Sequence, residues 1–123
     1  MELRASSEDY LETVFVLQVR KNEVRSIDLA RHMGVSKASV SHAVKALRNG
    51  GFLVKDNGGL LHLTNVGHIV AEAIYERHSF FRDRLMEAGI DRETAEQESC
   101  RMKHIISKKS FEKIKDTYHK ANK

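Results

Sequence analysis

Apolar residues near the start of the chain recur at helical spacing. Five of them share one stripe of a helix that we predict over residues 7–20: Tyr10, Leu11, Val14, Phe15 and Leu17. Two acids, Asp9 and Glu12, lie beside that stripe and three residues apart, so they share a helix face. The pattern predicts an amphipathic first helix with a pair of carboxylates next to its buried side.

The next segment is predicted to form two helices joined by a tight turn. Because the chain has no proline, glycines and short polar residues have to mark where elements begin and end. We expect Ser26 to cap a short helix over IDLARHM, and Gly34 to end it in the left-handed conformation. We expect Ser36 to cap a third helix, SKASVSHAVKALRN, which Gly50 ends. Four apolar residues of this third helix are predicted to point inward: Val40, Ala43, Val44 and Leu47.

Two β-prone runs, FLVKD and LLHL, follow the third helix. The residues between them, Asn57, Gly58 and Gly59, tolerate positive φ, as the turn of a hairpin requires. A helix, a glycine turn, a serine-capped helix and a glycine-rich hairpin occur in this order in a winged helix-turn-helix. The first lobe is therefore predicted to be a winged helix-turn-helix over residues 1–74.

The rest of the chain is predicted to be helical. Thr64 is placed to cap a long helix to about Ala88, Asp91 a fifth helix to about Ile106, and Ser107 a sixth. Apolar residues repeat at intervals of three and four in the long helix (Val66, Ile69, Val70, Ala73, Ile74, Phe81, Leu85) and line one side of the sixth (Phe111, Ile114, Tyr118). Such surfaces need a partner, so we predict a mainly α fold whose second lobe, residues 75–123, is a helical dimerisation lobe.

Net charge differs between two segments of the chain. The whole chain carries +4, but residues 20–55 hold eight bases against two acids, whereas residues 64–100 hold four bases against eight acids. The first segment is suited to a polyanion such as double-stranded DNA. A winged helix that binds protein is the alternative. The basic stretch from Arg101 onward is expected to be a solvated helix face.

Composition excludes other classes of protein. No apolar run approaches the roughly 20 residues that span a bilayer, and the N-terminus lacks the apolar stretch of a signal peptide, so we expect a cytoplasmic protein. The single cysteine, Cys100, cannot form an internal disulfide. An enzyme that used Cys100 as nucleophile and His104 as base is not expected, because no oxyanion-hole loop or orienting third residue lies beside them.

The third helix is expected to enter the major groove of DNA. Small and hydrogen-bonding residues at its start allow close approach to base edges, and bases flank them. We predict base contacts from Ser39 and His42 and phosphate contacts from Ser36, Lys37 and Lys45, with Lys55 acting from the wing. The remaining predicted DNA-binding residues are Arg25, Ser26 and Ser41. Two copies of this lobe in a homodimer would require an inverted-repeat operator.

Several segments together resemble one known family: SSEDYLETVFVLQ, RSIDLARHMGVSKASVSHAVKALRNGGFLVKD, GGLLHLTNVG, YERHSFF and CRMKHIIS. They are similar to the diphtheria-toxin-repressor family of metal-responsive bacterial regulators, over nearly the whole chain. The resemblance implies repression of metal-uptake genes when Fe²⁺ or Mn²⁺ fills a site between the lobes. Because the chain ends at Lys123, it resembles the short, manganese-transport-regulator-like members that lack an SH3-like domain.

Carried over by position, the family's metal ligands fall on five residues: Asp9, Glu12, His78, Cys100 and His104. Carboxylates alone suit Mg²⁺ or Mn²⁺, whereas imidazole and thiolate shift the preference toward Fe²⁺, Co²⁺ or Zn²⁺, so the set does not choose one metal. Each ligand also has a plain structural interpretation. His78 extends the apolar stripe through Val70 and Ile74 and fits a core histidine, and Cys100 and His104 fit a solvated face opposite a stripe of Ala95, Met102 and Ile106.

The chain departs from the family at Lys103, where a carboxylate ligand is expected. Arg82, one turn after His78, adds positive charge where some relatives carry an acid. Under one hypothesis a metal still binds the five ligands while Lys103 swings to solvent. Under a second, Lys103 pairs with Asp9 or Glu12 and replaces the metal, which leaves a metal-independent regulator. A third function, a redox sensor that uses Cys100, is favoured by its neighbours Arg101 and Lys103.

Overall fold

The computed structural model describes residues 3–122, and these residues form two compact units that divide between Ala73 and Ile74. The first unit contains α1 (Ala5–Lys21), α2 (Ser26–Met33), α3 (Lys37–Asn49), β1 (Leu53–Lys55), β2 (Leu61–Leu63) and the first part of α4 (Asn65–Glu87). The second unit contains the rest of α4, α5 (Arg92–Ile105) and α6 (Lys108–Ala121). The mainly α fold predicted from the sequence is confirmed.

The core of the first unit joins α1 to the helix-turn-helix and the hairpin. Leu11 and Val14 of α1 are fully buried, in one cluster with Leu29 of α2 and Leu47 of α3. Leu61 of β2 completes the cluster from the hairpin side. The inward residues predicted for α3 (Val40, Ala43, Val44 and Leu47) are all buried, which leaves the opposite face of that helix exposed.

The N-terminal caps of α2 and α3 differ from each other. Ser36 caps α3 as predicted, since its hydroxyl oxygen accepts the backbone N–H of Ser39 at 3.1 Å. The prediction that Ser26 caps α2 is wrong, because Ser26 is the first helical residue and Arg25 is the N-cap. The carboxylate of Asp28 accepts the backbone N–H of Arg25 at 2.8 Å, so a carboxylate within the first turn, reaching back to the N-cap residue, replaces the predicted serine cap. Gly34 ends α2 at φ +67°, as predicted.

The predicted hairpin is present as an antiparallel pair in which Leu53 lies opposite Leu63 and Lys55 opposite Leu61. Its turn is organised by Asp56, whose Oδ1 accepts the backbone N–H groups of Gly58 and Leu60 at 2.9 Å each. These residues form the wing, defined here as residues 53–63.

The first part of α4 packs closely within the first unit at Gly67. A Cβ on Gly67 would collide with the carbonyl of Phe52, so only glycine allows this close approach. Ala71 and Ile74 are buried on the same side of the helix, whereas Val66 and Ile69 are 56% and 69% exposed. The apolar stripe predicted for the start of α4 is therefore wrong at Val66, Ile69 and Ala73, which are all exposed. The buried face instead runs through Gly67, which lies against the Phe52 backbone, Ala71 and Ile74.

The second unit has its own aromatic core. Phe80 and Phe81 of α4 meet Phe111 of α6 with ring centroids 5.5 and 5.8 Å from Phe111. The predicted caps at Asp91 and Ser107 are confirmed, because each side chain accepts the backbone N–H three residues later. None of the helices in residues 3–122 has the length and hydropathy needed to cross a membrane.

Candidate nucleic-acid interface and metal centre

The outer face of α3 presents the residues that the sequence singled out for DNA. Lys37, Ser39, Ser41, His42 and Lys45 are all exposed. The cap at the start of the helix also orders part of this face, because the hydroxyl of Ser36 donates to Oγ of Ser39 at 2.9 Å. Ser39 can still donate its own hydroxyl hydrogen outward. The start of α3 therefore carries small side chains that can donate hydrogen bonds.

A basic groove of about 630 Å³ runs between α3 and β1. Lys45 and Arg48 of α3 line it on one side and Lys55 of the wing on the other, and no acid is among its lining residues. The sequence interpretation did not select Arg48. Arg48 lies seven residues after Ser41, two helical turns further along the same face, and that spacing is the signal that identifies it.

Arg25 and Ser26, which were also predicted to bind DNA, lie at the start of α2. The Arg25 guanidinium donates to the carbonyl oxygen of Gly58, at the tip of the wing. Ser26 is half-buried and lines the basic groove. Arg25 therefore ties the start of α2 to the wing, and the groove lies beside this tie.

A cluster around His78 occupies the second unit. The imidazole is 8% exposed, and its two nitrogens have different neighbours. Nε2 lies 2.7 Å from Oε2 of Glu96, and Nδ1 lies 3.7 Å from Sγ of Cys100. The sequence interpretation did not single out Glu96. Its position four residues before Cys100 on one helix is the signal that places both side chains beside the same group.

Arginines surround the other oxygen of Glu96. Nη1 of Arg82 lies 3.4 Å from Oε1, and Nη2 of Arg92, on a mostly exposed side chain, lies 3.9 Å from it. Burial opposes ionisation of Glu96, but the hydrogen bond from His78 and the charge of Arg82 outweigh burial and hold the pKa of Glu96 below its ordinary value. Glu96 is therefore a carboxylate in this cluster.

Lys103 is 3% exposed, so the hypothesis that it swings to solvent is wrong. The buried side of α5 is formed by Ala95, Ser99 and Lys103, which follow one another at four-residue intervals. Met102 and Ile106 of the predicted stripe are half-buried and pack against the cluster of Phe80, Phe81 and Phe111. Lys103 is buried beside this stripe because it continues the line of the small residues Ala95 and Ser99 along one side of α5.

The five predicted metal ligands are distributed over both units. Asp9 and Glu12 belong to α1 in the first unit, and His78, Cys100 and His104 belong to the second. Nδ1 of His78 and Sγ of Cys100 lie 3.7 Å apart, and residues 3–122 contain no group of three His, Cys, Asp or Glu side chains arranged to hold a metal ion. An imidazole beside a thiol fits the donor preferences of a borderline divalent ion. An ammonium at position 103 contributes no ligand.

Comparison with known proteins identifies the family. The family model for the iron-dependent repressor N-terminal DNA-binding domain matches residues 2–59, and the model for its metal-binding and dimerisation domain matches residues 64–122. The chain belongs to the iron-dependent repressor family. The resemblance to the diphtheria-toxin-repressor family that its motifs carry is confirmed.

Relatives of this family align along most of the chain. The uncharacterized HTH-type transcriptional regulator MJ0568 of Methanocaldococcus jannaschii is 28% identical over 112 residues, which is 89% of this chain and 90% of the relative. The HTH-type transcriptional regulator MntR of Lysinibacillus sphaericus is 29% identical over 111 residues, covering 90% of this chain and 80% of the relative. These relatives are transcriptional regulators, and they do not favour a redox sensor or a metal-independent protein.

Solved structures share the fold. The manganese regulator SloR superposes with a TM-score of 0.82 at 26% identity, covering 92% of this chain and 53% of the SloR chain. The chain thus spans about half the length of the solved structures that it matches in this way.

Proposed function

We propose that this protein is a metal-responsive transcriptional repressor that binds an inverted-repeat DNA operator as a homodimer, with Mn²⁺ or Fe²⁺ as corepressor. Residues 1–74 form its DNA-binding domain and residues 75–123 its metal-binding and dimerisation domain. The observation that carries the proposal is the capped helix α3, whose exposed face lies beside a groove lined by Lys45, Arg48 and Lys55. Matches to both domain models of the family support it.

DNA is read by the first half of α3. Ser39 and His42 contact base edges, because they are exposed hydrogen-bonding side chains on the face opposite the core. Lys37 and Lys45 on α3 and Lys55 on the wing contact phosphates, which set register and affinity without reading sequence. The exposed positive charge of this face, in a segment that is net basic whereas residues 64–100 are net acidic, supports these roles.

The corepressor is held by His78, Cys100 and His104, together with Asp9 and Glu12. The family resemblance and the contact between His78 and Cys100 support this ligand set. A bound divalent ion supplies coordination bonds that stabilise whichever conformation brings its ligands together. If that conformation is also the one that binds DNA, thermodynamic linkage requires metal to raise DNA affinity and DNA to raise metal affinity by the same factor.

Such a protein acts where the chromosome is, so we place it in the cytoplasm. A homodimer is supported by the description of the second domain model as a dimerisation domain and by the need of a small winged helix for two half-sites.

Operator binding measured with and without metal tests the proposal. DNA selected from a random pool in the presence of Mn²⁺ is labelled and titrated with the full chain, with fluorescence anisotropy as the readout. We expect affinity to rise at least fivefold with Mn²⁺ or Fe²⁺, the lower end of typical allosteric coupling, and to fall again when a chelator is added. Equal binding with and without metal would contradict the corepressor, and failure to select any DNA would contradict the whole assignment.

A further inference from the structure

The two ring nitrogens of His78 face unlike groups, a carboxylate at Nε2 and a thiol at Nδ1, and this asymmetry decides where the ring hydrogen lies. A carboxylate can only accept hydrogen bonds. Glu96 Oε2, at 2.7 Å, therefore requires Nε2 of His78 to carry a hydrogen. In the neutral ring, which has one N–H, Nδ1 then holds the lone pair.

The lone pair on Nδ1 faces the thiol of Cys100. At 3.7 Å the Sγ–H of Cys100 can donate weakly to it. A metal ion needs a ring lone pair and a thiolate, so Nδ1 and Sγ are the pair of atoms able to share one ion after the thiol proton is lost. On the other side of the ring, Nε2 cannot bind a metal while it donates to Glu96.

Glu96 is itself fixed in place. Its second oxygen, Oε1, faces Nη1 of Arg82 at 3.4 Å, and the Nε of Arg82 is in turn held by Asp83 at 3.1 Å. Both carboxylate oxygens thus have positively polarised partners within one network. A carboxylate in this arrangement orients the histidine, and it is not placed as a ligand.

We propose that Glu96 is a positioning residue that fixes His78 as an Nδ1 ligand of the corepressor metal, next to Cys100. This inference rests on the proposed function, because it concerns the same metal. Carboxylates hydrogen-bonded to the second nitrogen of a metal-binding histidine set its tautomer and orientation, and their loss typically weakens metal binding roughly 10- to 100-fold. Neither the family match nor the sequence motifs assign this role to Glu96.

The tautomer can be measured on the unaltered, metal-free chain. Long-range ¹H–¹⁵N correlation spectra of protein labelled at histidine distinguish a protonated ring nitrogen from one that holds a lone pair. For neutral His78 we expect a protonated Nε2 and an unprotonated Nδ1, and in Zn²⁺-loaded protein we expect the metal on Nδ1. The opposite tautomer, or metal on Nε2, would overturn the inference.

Co²⁺ titration of variants measures the effect on binding, with the thiolate-to-cobalt charge-transfer band as the readout for Cys100. We expect Glu96→Ala to weaken Co²⁺ binding roughly 10- to 100-fold. Glu96→Gln keeps an oxygen that accepts from Nε2, so it should bind within a few-fold of the wild type. Arg92→Gln is the matched control, since Arg92 approaches the same oxygen from an exposed position at 3.9 Å, and it should bind Co²⁺ like the wild type.

The outcomes separate this inference from the proposed function. A wild-type chain that binds no Co²⁺ would contradict the metal-responsive function itself. If the wild type binds Co²⁺ and Glu96→Ala binds it equally well, the function stands and the positioning role fails. If Glu96→Gln binds Co²⁺ as weakly as Glu96→Ala does, the charge of Glu96 acts on the metal directly. Glu96 is then a ligand, which also overturns the inference.

Discussion

Arg25 donates a hydrogen bond from its guanidinium to the carbonyl oxygen of Gly58. The two residues are 33 positions apart in the chain, and the bond joins the start of α2 to the tip of the wing. A wing of two three-residue strands has few interactions of its own, so this tie restricts where its tip can lie.

Arg25→Gln is therefore expected to loosen the wing and to weaken operator binding several-fold while leaving the salt dependence unchanged. A residue that only positions the wing releases no counterion, whereas a direct phosphate contact would lower the salt slope by about 1 on replacement. Anisotropy titrations over a range of salt concentrations measure both quantities. Arg31→Gln, at an exposed position on α2, is the control. A lower slope for Arg25→Gln would assign Arg25 to the DNA backbone instead.

Ser36 is expected to stabilise the protein as a cap, independently of DNA. Ser36→Ala should lower the free energy of unfolding by about 1 kcal/mol, because the backbone N–H of Ser39 loses its acceptor. Ser36→Asp keeps an acceptor and should retain stability, but it adds negative charge at the proposed DNA face and should weaken operator binding. Urea unfolding and anisotropy give the two readouts. Equal losses of unfolding free energy in Ser36→Ala and Ser36→Asp would mean that the cap hydrogen bond is not the source of stability.

Substitutions of His42 and Lys37 are expected to affect DNA binding in different ways. His42→Ala should change which bases are preferred, since a base-edge contact is worth about 1–3 kcal/mol of discrimination. Lys37→Ala should weaken binding to all DNA sequences alike and lower the slope of affinity against salt concentration by about 1. Arg48→Gln, in the basic groove, should behave like Lys37→Ala. Competition binding on a set of operator variants checks this. Identical behaviour of His42→Ala and Lys37→Ala would show that α3 does not lie in the major groove as proposed.

Gly67→Ala is expected to destabilise the protein, although the same change at an ordinary helical position is stabilising by about 1 kcal/mol. The added methyl group would overlap the backbone carbonyl of Phe52, which cannot move as a flexible side chain does. Chemical denaturation of the two proteins gives the sign directly. An increase in stability would show that α4 does not approach Phe52 so closely.

Asp28 is expected to contribute stability that depends on pH. Hydrogen bonds from the Lys21 side chain and the Arg25 backbone hold the pKa of Asp28 below its ordinary value of 3.8. Because the folded state favours the carboxylate, the contribution is complete well above the ordinary pKa and is lost as pH falls through the lowered one. Asp28→Asn should therefore be less stable than the wild type near neutral pH, and the difference should shrink in acid.

Urea unfolding at a series of pH values measures this difference. Lys21→Gln removes the main hydrogen bond to Asp28 and should reproduce part of the effect. A constant difference between wild type and Asp28→Asn at every pH would show that the charge of Asp28 is not what stabilises the start of α2.

Local patterns in the chain were enough to predict most helix boundaries in both units. Serine and aspartate caps at Ser36, Asp91 and Ser107, the left-handed Gly34 and the inward side of α3 depend on neighbours only a few residues away, and all are found where predicted. The cap of α2 was missed because two possible acceptors, Ser26 and Asp28, lie close together in the sequence. Which of them accepts the hydrogen bond at the helix start depends on the backbone geometry.

Residues far apart in the chain account for what the patterns missed. Lys103 is buried because it continues the line of Ala95 and Ser99, and Glu96 acquires a role only because α4 brings His78 within 2.7 Å of it. Periodicity records which residues share a helix face. It does not record which face meets another helix, since close packing depends on the sizes of side chains on both elements, and that choice belongs to the folded molecule.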